Sequence, residues 1–334
     1  MTDRAAPPRT PRTPRAPRTP RAPRTAPAAL AAALGYGALQ GWWALGGAPS
    51  FGRLGTDLLV VPRWGAVGLC AAAALLAYGL HRARRHRPGV CAAAAAVTVA
   101  LLAGCPFLLL DVVGGLLPGL HLPRSAVGFL SRAGCAATAV LLAAAALDHR
   151  RRLRGDCPRC GRTGGPHDPA ARTRTPGWAR GAAYGAVGAC WVRILAQYGL
   201  GFGDPGPLGA SEAVSLAAFE AGFVLAGTVL PLSLVHRWGR DVPRRVPWLG
   251  GRRVPRWLLL GPAAAVSAGL LVYFGVGIGQ LVGETLHPVP HPGDLPLSFL
   301  WVAMPAYWLW GLGLGAAALG YGRATRPPCR ACGR

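Results

Sequence analysis

The chain has 334 residues, of which 52% are hydrophobic and only 14% are charged, and its formal net charge is +24. Soluble domains carry closer to a quarter of charged residues, so this composition predicts an integral membrane protein rather than a soluble one. Every one of the 36 basic residues is Arg, and the chain is rich in Ala, Gly and Pro. This usage is typical of a GC-rich bacterial genome, so the choice of Arg over Lys carries little functional meaning.

The first 26 residues form a low-complexity tail in which Pro and Arg recur about every third residue between 9 and 27. Such a segment has too few apolar side chains to form a core, so we expect it to be disordered or polyproline II. It is too long and too rich in Pro for the start of a signal peptide, and we expect no cleavage after it. A solvated tail that helps to fix orientation is the simpler interpretation, and a dedicated lipid- or nucleic-acid-binding arm is the alternative.

Eight apolar stretches follow, each long enough to cross a bilayer, for which about 20 helical residues are needed. They cover residues 27–48, 57–80, 89–114, 125–147, 178–200, 212–235, 257–282 and 297–320. The sequence therefore predicts an all-α integral membrane protein with eight transmembrane helices.

The arginines sort to one side of these stretches. The intervening loops near 49–56, 115–124, 201–211 and 283–296 hold only Arg53 and Arg124. The tail, the other connections and the end of the chain hold 30 of the 36, and Arg180, just inside the fifth span, makes 31. Because Arg-rich segments stay in the cytoplasm, we expect a multi-pass protein of the bacterial inner membrane with both termini in the cytoplasm. Orientation and attraction to anionic membrane lipid then explain the positive charge, and a nucleic-acid partner is not expected.

A thiol motif occurs twice, as CPRCGR at 157–162 and as CRACGR at 329–334. Earlier matches follow the same order, among them YGA at 36–38 and at 184–186. These matches predict two tandem four-helix repeats. An even number of spans gives both repeats the same orientation, about an axis along the membrane normal, and brings both motifs to the cytoplasmic face.

The predicted organisation follows from these repeats. A disordered tail covers 1–26, a first membrane repeat covers 27–162, a cytoplasmic linker covers 163–177 and a second membrane repeat covers 178–334. Each repeat is expected to end in a Cys-x-x-Cys turn.

Four cysteines of these turns, Cys157, Cys160, Cys329 and Cys332, can supply a tetrahedral set of thiolates for Zn(II). All four positions of such a site are filled by protein, so the expected zinc is structural rather than catalytic. The expected cytoplasmic location keeps thiols reduced. Redox-active thiols, or exposed cysteines with no further role, are the alternatives.

Five ionisable residues lie within the predicted spans: Arg63, Asp111, Arg132, Arg193 and Glu220. Most of them lie roughly 10 Å from the non-cytoplasmic ends of their helices, at 1.5 Å of rise per residue. A charge at the bilayer centre costs on the order of 2.5–3.5 kcal/mol, so such side chains usually face the bundle interior and pair.

Matching depth predicts ion pairs between Arg193 and Glu220 and between Arg63 and Asp111, which leaves Arg132 without an acidic partner. One interpretation of the spare positive charge is an outward-facing pocket that binds an anionic small molecule or a lipid headgroup. The other, which the sequence favours, is that the pairs hold helices together while Arg63 and Arg132 extend toward the membrane surface.

Two further acids, Asp57 and Glu212, follow Thr56 and Ser211 at the start of predicted spans. Helix N-capping with an acid in the first turn explains them. The loop HPVPHPGD at 287–294 contains two His and one Asp, but its prolines prevent a helix from presenting both His on one face. We expect ordinary loop residues there rather than a metal site.

The sequence contains no Walker A, GxSxG or HExxH motif, so no catalytic residue can be named and an enzyme is not the favoured class. Two functions are predicted. The first is binding or transport of an anionic ligand or lipid through the five ionisable residues. The second is membrane assembly or regulation, with the zinc module and the Arg-rich loops binding a cytoplasmic protein.

Overall fold

The structure is a computed structural model that describes residues 24–52, 55–83, 88–122, 125–154, 156–157, 175–200, 209–241, 250–287, 295–326 and 329. Most of the predicted tail and linker, and both Cys160 and Cys332, lie outside the described residues. Within the described ranges the fold is helical, and the only extended pairing there is a single bridge between Asp241 and Arg253.

Ten α-helices account for most of the described chain. They are α1 Thr25–Trp42, α2 Arg63–Arg82, α3 Pro88–Gly104, α4 Leu108–Leu116, α5 Ala126–Leu153, α6 Gly177–Gly199, α7 Ala210–Val224, α8 Leu230–Val235, α9 Arg256–Leu286 and α10 Leu297–Ala324. A wider π turn, Trp43–Gly47, follows α1, and a second one, Leu225–Val229, joins α7 to α8.

Several of these helices are long and apolar enough to cross a membrane. Five helical segments pass this test by length and composition, namely α2, α5, the segment Ala210–Val235, α9 and α10. The bent pair α3 and α4 makes a sixth if it is taken as one span. The other two predicted spans, α1 and α6, are less apolar because they contain Gly, Tyr, Trp and Gln and, in α6, two Arg.

The third predicted span is broken rather than continuous. Helix α3 ends at Gly104, α4 begins at Leu108, and the two axes differ by 45°. Pro106 lies in the break. Because proline has no N–H and disfavours helical backbone in the residue before it, a helix entering this point ends there. The bend gives α4, which carries Asp111, a direction of its own.

The second predicted span begins later than residue 57. Helix α2 starts at Arg63, with Pro62 as its N-cap in an extended conformation. Proline disfavours helical backbone at the preceding residue, so the helix does not extend back through Val61. Asp57 and Leu58 are therefore buried in a non-helical segment before α2, and the prediction that Asp57 lies in a first helical turn is wrong.

Hydrogen bonds at both ends of α1 and α5 show that these helices are antiparallel. Thr25 Oγ1, at the start of α1, donates to Asp148 Oδ2 near the end of α5 over 2.8 Å. At the other end, the Tyr36 hydroxyl and Ser131 Oγ are 3.1 Å apart. The first contact lies at the end of the helices that leads to Cys157, which we call the thiol end, and the second lies toward the opposite end.

The same arrangement occurs among the later helices. Arg256, at the start of α9, donates from Nε to Thr325 Oγ1 just after α10, over 3.0 Å. The guanidinium of Arg323 lies 5.8 Å from the ring centroid of Trp178 at the start of α6. The starts of α6 and α9 therefore lie beside the end of α10, on the side that leads to Cys329.

The buried residues form two main apolar clusters. One extends from Ala26 to Ala145 and joins α1, α2, α3 and α5, and the other extends from Ala183 to Tyr321. We call the corresponding parts of the chain, 24–157 and 175–329, the first and second halves. They meet where the turn Pro118–Leu120 packs against α7 and where α3 and α4 pack against α9.

Small residues allow the helices of the second half to pack closely. A Cβ added at Gly313 in α10 would lie 2.5 Å from the Ala182 carbonyl oxygen in α6. Close backbone approach of this kind is the usual basis of helix packing in membranes, where no hydrophobic force drives the helices together.

Candidate functional site

Arg132 is the centre of a buried polar group in the first half. Its side chain is 0% exposed, and Nη1 lies 2.5 Å from Asp111 Oδ2. Nε donates to the backbone carbonyl of Asp57 over 2.8 Å, and Nη2 donates to that of Thr56 over 3.2 Å. The guanidinium also lies 5.7 Å from the ring centroid of Phe107. All three nitrogen atoms therefore have acceptors on other segments of the chain.

This arrangement differs from the predicted pairing. Asp111 pairs with Arg132, not with Arg63, so the expectation that Arg132 lacks an acidic partner is wrong. The reason lies in the broken third span, because α4 packs against α5 in a direction that an unbroken helix would not have. Rotation about the helix axes, which decides these pairs, does not follow from depth. Arg63 is also not inside a helix as predicted, because it is the exposed first residue of α2.

Asp57 is the second carboxylate of this group, and it was not predicted to be part of a site. It is 5% exposed. Its Oδ2 accepts hydrogen bonds from Ser131 Oγ over 2.7 Å and from Gln40 Nε2 over 2.8 Å. Gln40 is fully enclosed in α1 and also contacts the Tyr36 hydroxyl over 2.7 Å. A signal was present in the sequence, because Gln40 is the only amide or charged residue within 27–48.

A cavity opens beside Asp57. It has a volume of about 440 Å³ and is lined by Gln40, Thr56, Asp57, Leu58, Leu59, Val60, Val61, Pro62, Arg63 and Ala66. Its inner wall contains the buried side chains of Gln40 and Asp57, whereas Pro62 and Arg63 at its rim are exposed. We call it the Asp57 cavity. Among the described residues Arg63 has no ion pair, and it is exposed.

Arg193 lies in a separate setting in the second half, on α6. It is 7% exposed, and its Nη1 donates to Gln197 on the next turn of the same helix. Its guanidinium carbon is 4.9 Å from the ring centroid of Phe223 on α7 and 5.3 Å from that of Tyr307 on α10. Its Nε is buried, and none of the described residues accepts a hydrogen bond from it.

The predicted pair of Arg193 with Glu220 is not formed. In the part of the chain that the structure describes, the ion pairs do not include one between these two side chains. Glu220 is half-buried on α7, one turn before Phe223. The guanidinium lies against the aromatic rings of Phe223 and Tyr307 instead.

At the end of the helices opposite the thiol end, the predictions were a helix cap at Glu212 and ordinary loop residues at 287–294. Glu212 does cap a helix, because its Oε2 accepts from the Gly209 N–H over 3.0 Å at the start of α7. It also lies 3.5 Å from His121 Nδ1. Residues 288–294 of the His-containing loop lie outside the described residues. Asp57 and Glu212, which occupy matching places in the predicted repeats, therefore have different environments.

At the thiol end the two halves contact one another through cysteine. Cys157 Sγ and Cys329 Sγ are 3.9 Å apart, although the residues are separated by 172 positions in the chain. The other two predicted metal ligands, Cys160 and Cys332, lie outside the described residues. Among the described residues, no group of three or more His, Cys, Asp or Glu side chains could hold a metal ion.

Comparison with known proteins gives no relative for this chain: no family model, no curated protein and no solved structure matches it.

Proposed function

We propose that the chain is an eight-span protein of the bacterial inner membrane, built as two tandem four-helix units, that binds an anionic group at Arg193. The anion is a small molecule or a lipid headgroup that carries a phosphate or carboxylate, the groups that the guanidinium fork fits best. The units are held together at the thiol end by zinc.

The packing order within each half supports two tandem units. In the first half α5 packs against both α1 and α3, and in the second half α10 packs against both α6 and α9. The fourth helix thus has the same two neighbours in both units. Helices α5 and α10 also have the same length, 28 residues.

We count α1 and α6 as membrane-spanning helices, although they are less apolar than the other predicted spans. With 18 and 23 residues, they extend about 27 and 35 Å at 1.5 Å per residue, enough for a hydrocarbon core of about 30 Å once the π turn after α1 is included. Both helices pack closely against the fourth helix of their unit. A helix covered by neighbours tolerates polar residues that a lipid-facing helix does not.

The observation that carries the proposed function is the buried, unpartnered Nε of Arg193. A buried donor without an acceptor costs about 1–3 kcal/mol, and more when the group is charged. Each of the three guanidinium nitrogens of Arg132, by contrast, has an acceptor, in Asp111 or in one of two backbone carbonyls. Of the two arginines predicted to contact an anion, Arg193 retains a free donor, and Phe223 and Tyr307 hold its guanidinium in place by cation–π contact.

The zinc proposal is supported by the distance between Cys157 and Cys329. Four sulfurs at about 2.3 Å from a tetrahedral Zn(II) lie roughly 3.8 Å from one another, and the observed separation of 3.9 Å fits one edge of that tetrahedron. The remaining two ligands are proposed to be Cys160 and Cys332.

The anion site is tested by thermal unfolding of the purified full chain in a nonionic detergent, with inorganic phosphate or phosphatidylglycerol as the probe. An anion at a hundred times its Kd stabilises the folded state by about 2.7 kcal/mol. We expect the probe to raise the Tm of the wild type, and we expect no such rise in Arg193→Gln. The matched control is Arg180→Gln, which removes the same charge from an exposed position on α6.

The variant Glu220→Gln distinguishes an anion site at Arg193 from a purely structural role of this arginine. If an external anion is the partner, Glu220→Gln removes a competitor and should leave the stabilisation by anions unchanged or larger. If Glu220 is the true partner, the variant is destabilised and neither probe raises the Tm of the wild type. That second result would refute the anion site.

A further inference from the structure

The Asp57 cavity combines a buried floor that carries charge with an exposed rim of opposite charge. Its volume of about 440 Å³ is within the range of small-molecule pockets, about 300–1,000 Å³. Asp57 and Gln40 form the polar part of the floor, Leu58 and Ala66 the apolar part, and Arg63 lies at the rim.

The two carboxylate oxygens of Asp57 have different contacts. Oδ2 accepts hydrogen bonds from Ser131 Oγ and Gln40 Nε2. Among the described residues no group donates to Oδ1, so this oxygen remains available on a side chain that lines the cavity.

No cation among the described residues pairs with the Asp57 carboxylate. Arg132 is paired through Nη1 with Asp111, and its Nε contacts the backbone carbonyl of Asp57 rather than the carboxylate. The Asp57 carboxylate is therefore buried without an ion pair among the described residues. A buried carboxylate without a counter-charge is costly, so the cavity fits a ligand that supplies a positive group.

We propose that the Asp57 cavity binds a primary ammonium group that lies next to an anionic group, with the ammonium on Asp57 and the anion on Arg63. Phosphoethanolamine has this chemistry, both as a free molecule and as the headgroup of phosphatidylethanolamine. Arg63 is the first residue of α2, so the cavity lies at a helix end, at the depth where a membrane span meets the headgroups.

Selectivity follows from the donors that the ligand offers. A primary ammonium has three N–H groups for Asp57 Oδ1 and the carbonyls around it, whereas a quaternary ammonium has none. Phosphocholine differs from phosphoethanolamine in this respect and is therefore the matched control ligand.

The test is isothermal titration calorimetry of the full chain in nonionic detergent with phosphoethanolamine, together with Tm in lipid nanodiscs that contain phosphatidylethanolamine or phosphatidylcholine. We expect the primary-amine probe to bind at least tenfold more tightly than its choline analogue. Asp57→Asn should reduce the affinity at least tenfold, and Arg63→Gln severalfold. Glu212→Gln, which neutralises the matching carboxylate of the second unit, should leave it unchanged.

The two arms distinguish the source of the ligand. A response to the lipid alone assigns the cavity to a headgroup, and a response to the free probe assigns it to a soluble ligand. Equal response to amine and choline forms, or no response in either arm, would overturn the proposal, and so would undiminished binding by Asp57→Asn. Because the comparison of ligands uses the wild type, it holds even if Asp57→Asn does not fold.

Discussion

Arg132 and Asp111 form an ion pair that is closed off from solvent on both sides, with the two side chains 0% and 2% exposed. The pair joins α5 to α4, and the remaining nitrogens of Arg132 hold the backbone at Thr56 and Asp57. One side chain therefore connects three segments of the first half, and the wall of the Asp57 cavity depends on it.

We expect Arg132→Met to destabilise the chain by about 3–5 kcal/mol, because the change leaves Asp111 as a buried charge without its partner. Adding Asp111→Leu should restore part of this loss, since the pair is then replaced by apolar side chains. Thermal unfolding in detergent measures both effects.

The control for that comparison is Arg180→Gln, at an exposed position, which should change stability by no more than about 0.5 kcal/mol. An Arg132→Met variant that unfolds like the wild type would show that the pair does not hold the first half together.

A second prediction concerns metal content. Protein purified without chelator should contain about one zinc ion per chain, as four thiolates bind a single ion. Cys157→Ser and Cys329→Ser should each lose it, because their sulfurs are on adjacent corners of the proposed tetrahedron. Cys91→Ser, half-buried in α3, is the control and should retain it. Wild-type protein with neither zinc nor iron by elemental analysis would contradict the proposed zinc site.

A third prediction uses two glycines. Gly313→Ala should destabilise the second half, because the added Cβ would lie 2.5 Å from the Ala182 carbonyl oxygen and force α6 and α10 apart. Gly279→Ala places the same methyl group on α9, where nothing lies within 4 Å, and alanine is the better helix former by about 1 kcal/mol. Opposite shifts in Tm are expected, and equal shifts would show that the close α6–α10 packing is not required.

The helices were largely predictable because long apolar runs are a direct signal of spanning segments. Their boundaries were less so. Pro62 and Pro106 ended or broke helices that average hydropathy treats as continuous, and both prolines were visible in the sequence. Residues 57–62 are non-helical, but their mostly apolar side chains place them in a predicted span.

The sequence predicts which charged residues belong to the candidate sites better than it predicts which of them form ion pairs. Asp111 and Arg132 are both buried. The expectation that charged side chains within the spans face the interior is met by this pair, whereas the favoured expectation that Arg132 extends toward the membrane surface is wrong. Which acid meets which arginine depends on helix rotation and on the bend between α3 and α4, neither of which follows from spacing. Asp57 was missed because it was interpreted as a helix cap, and its partners Gln40 and Ser131 become apparent only once α1 and α5 are known to be antiparallel.

The central claim is that two units of four spans each share one orientation, and membrane topology tests it most directly. A reporter enzyme that is active only outside the cytoplasm would be inserted into the full chain at single positions. Insertions after Ala83, Asp156, Gly250 and Thr325 should be inactive, and those after Ser50, Leu117, Leu200 and His287 should be active. An inactive reporter after Ser50 or Leu200 would show that α1 or α6 does not cross, and would contradict the eight-span account.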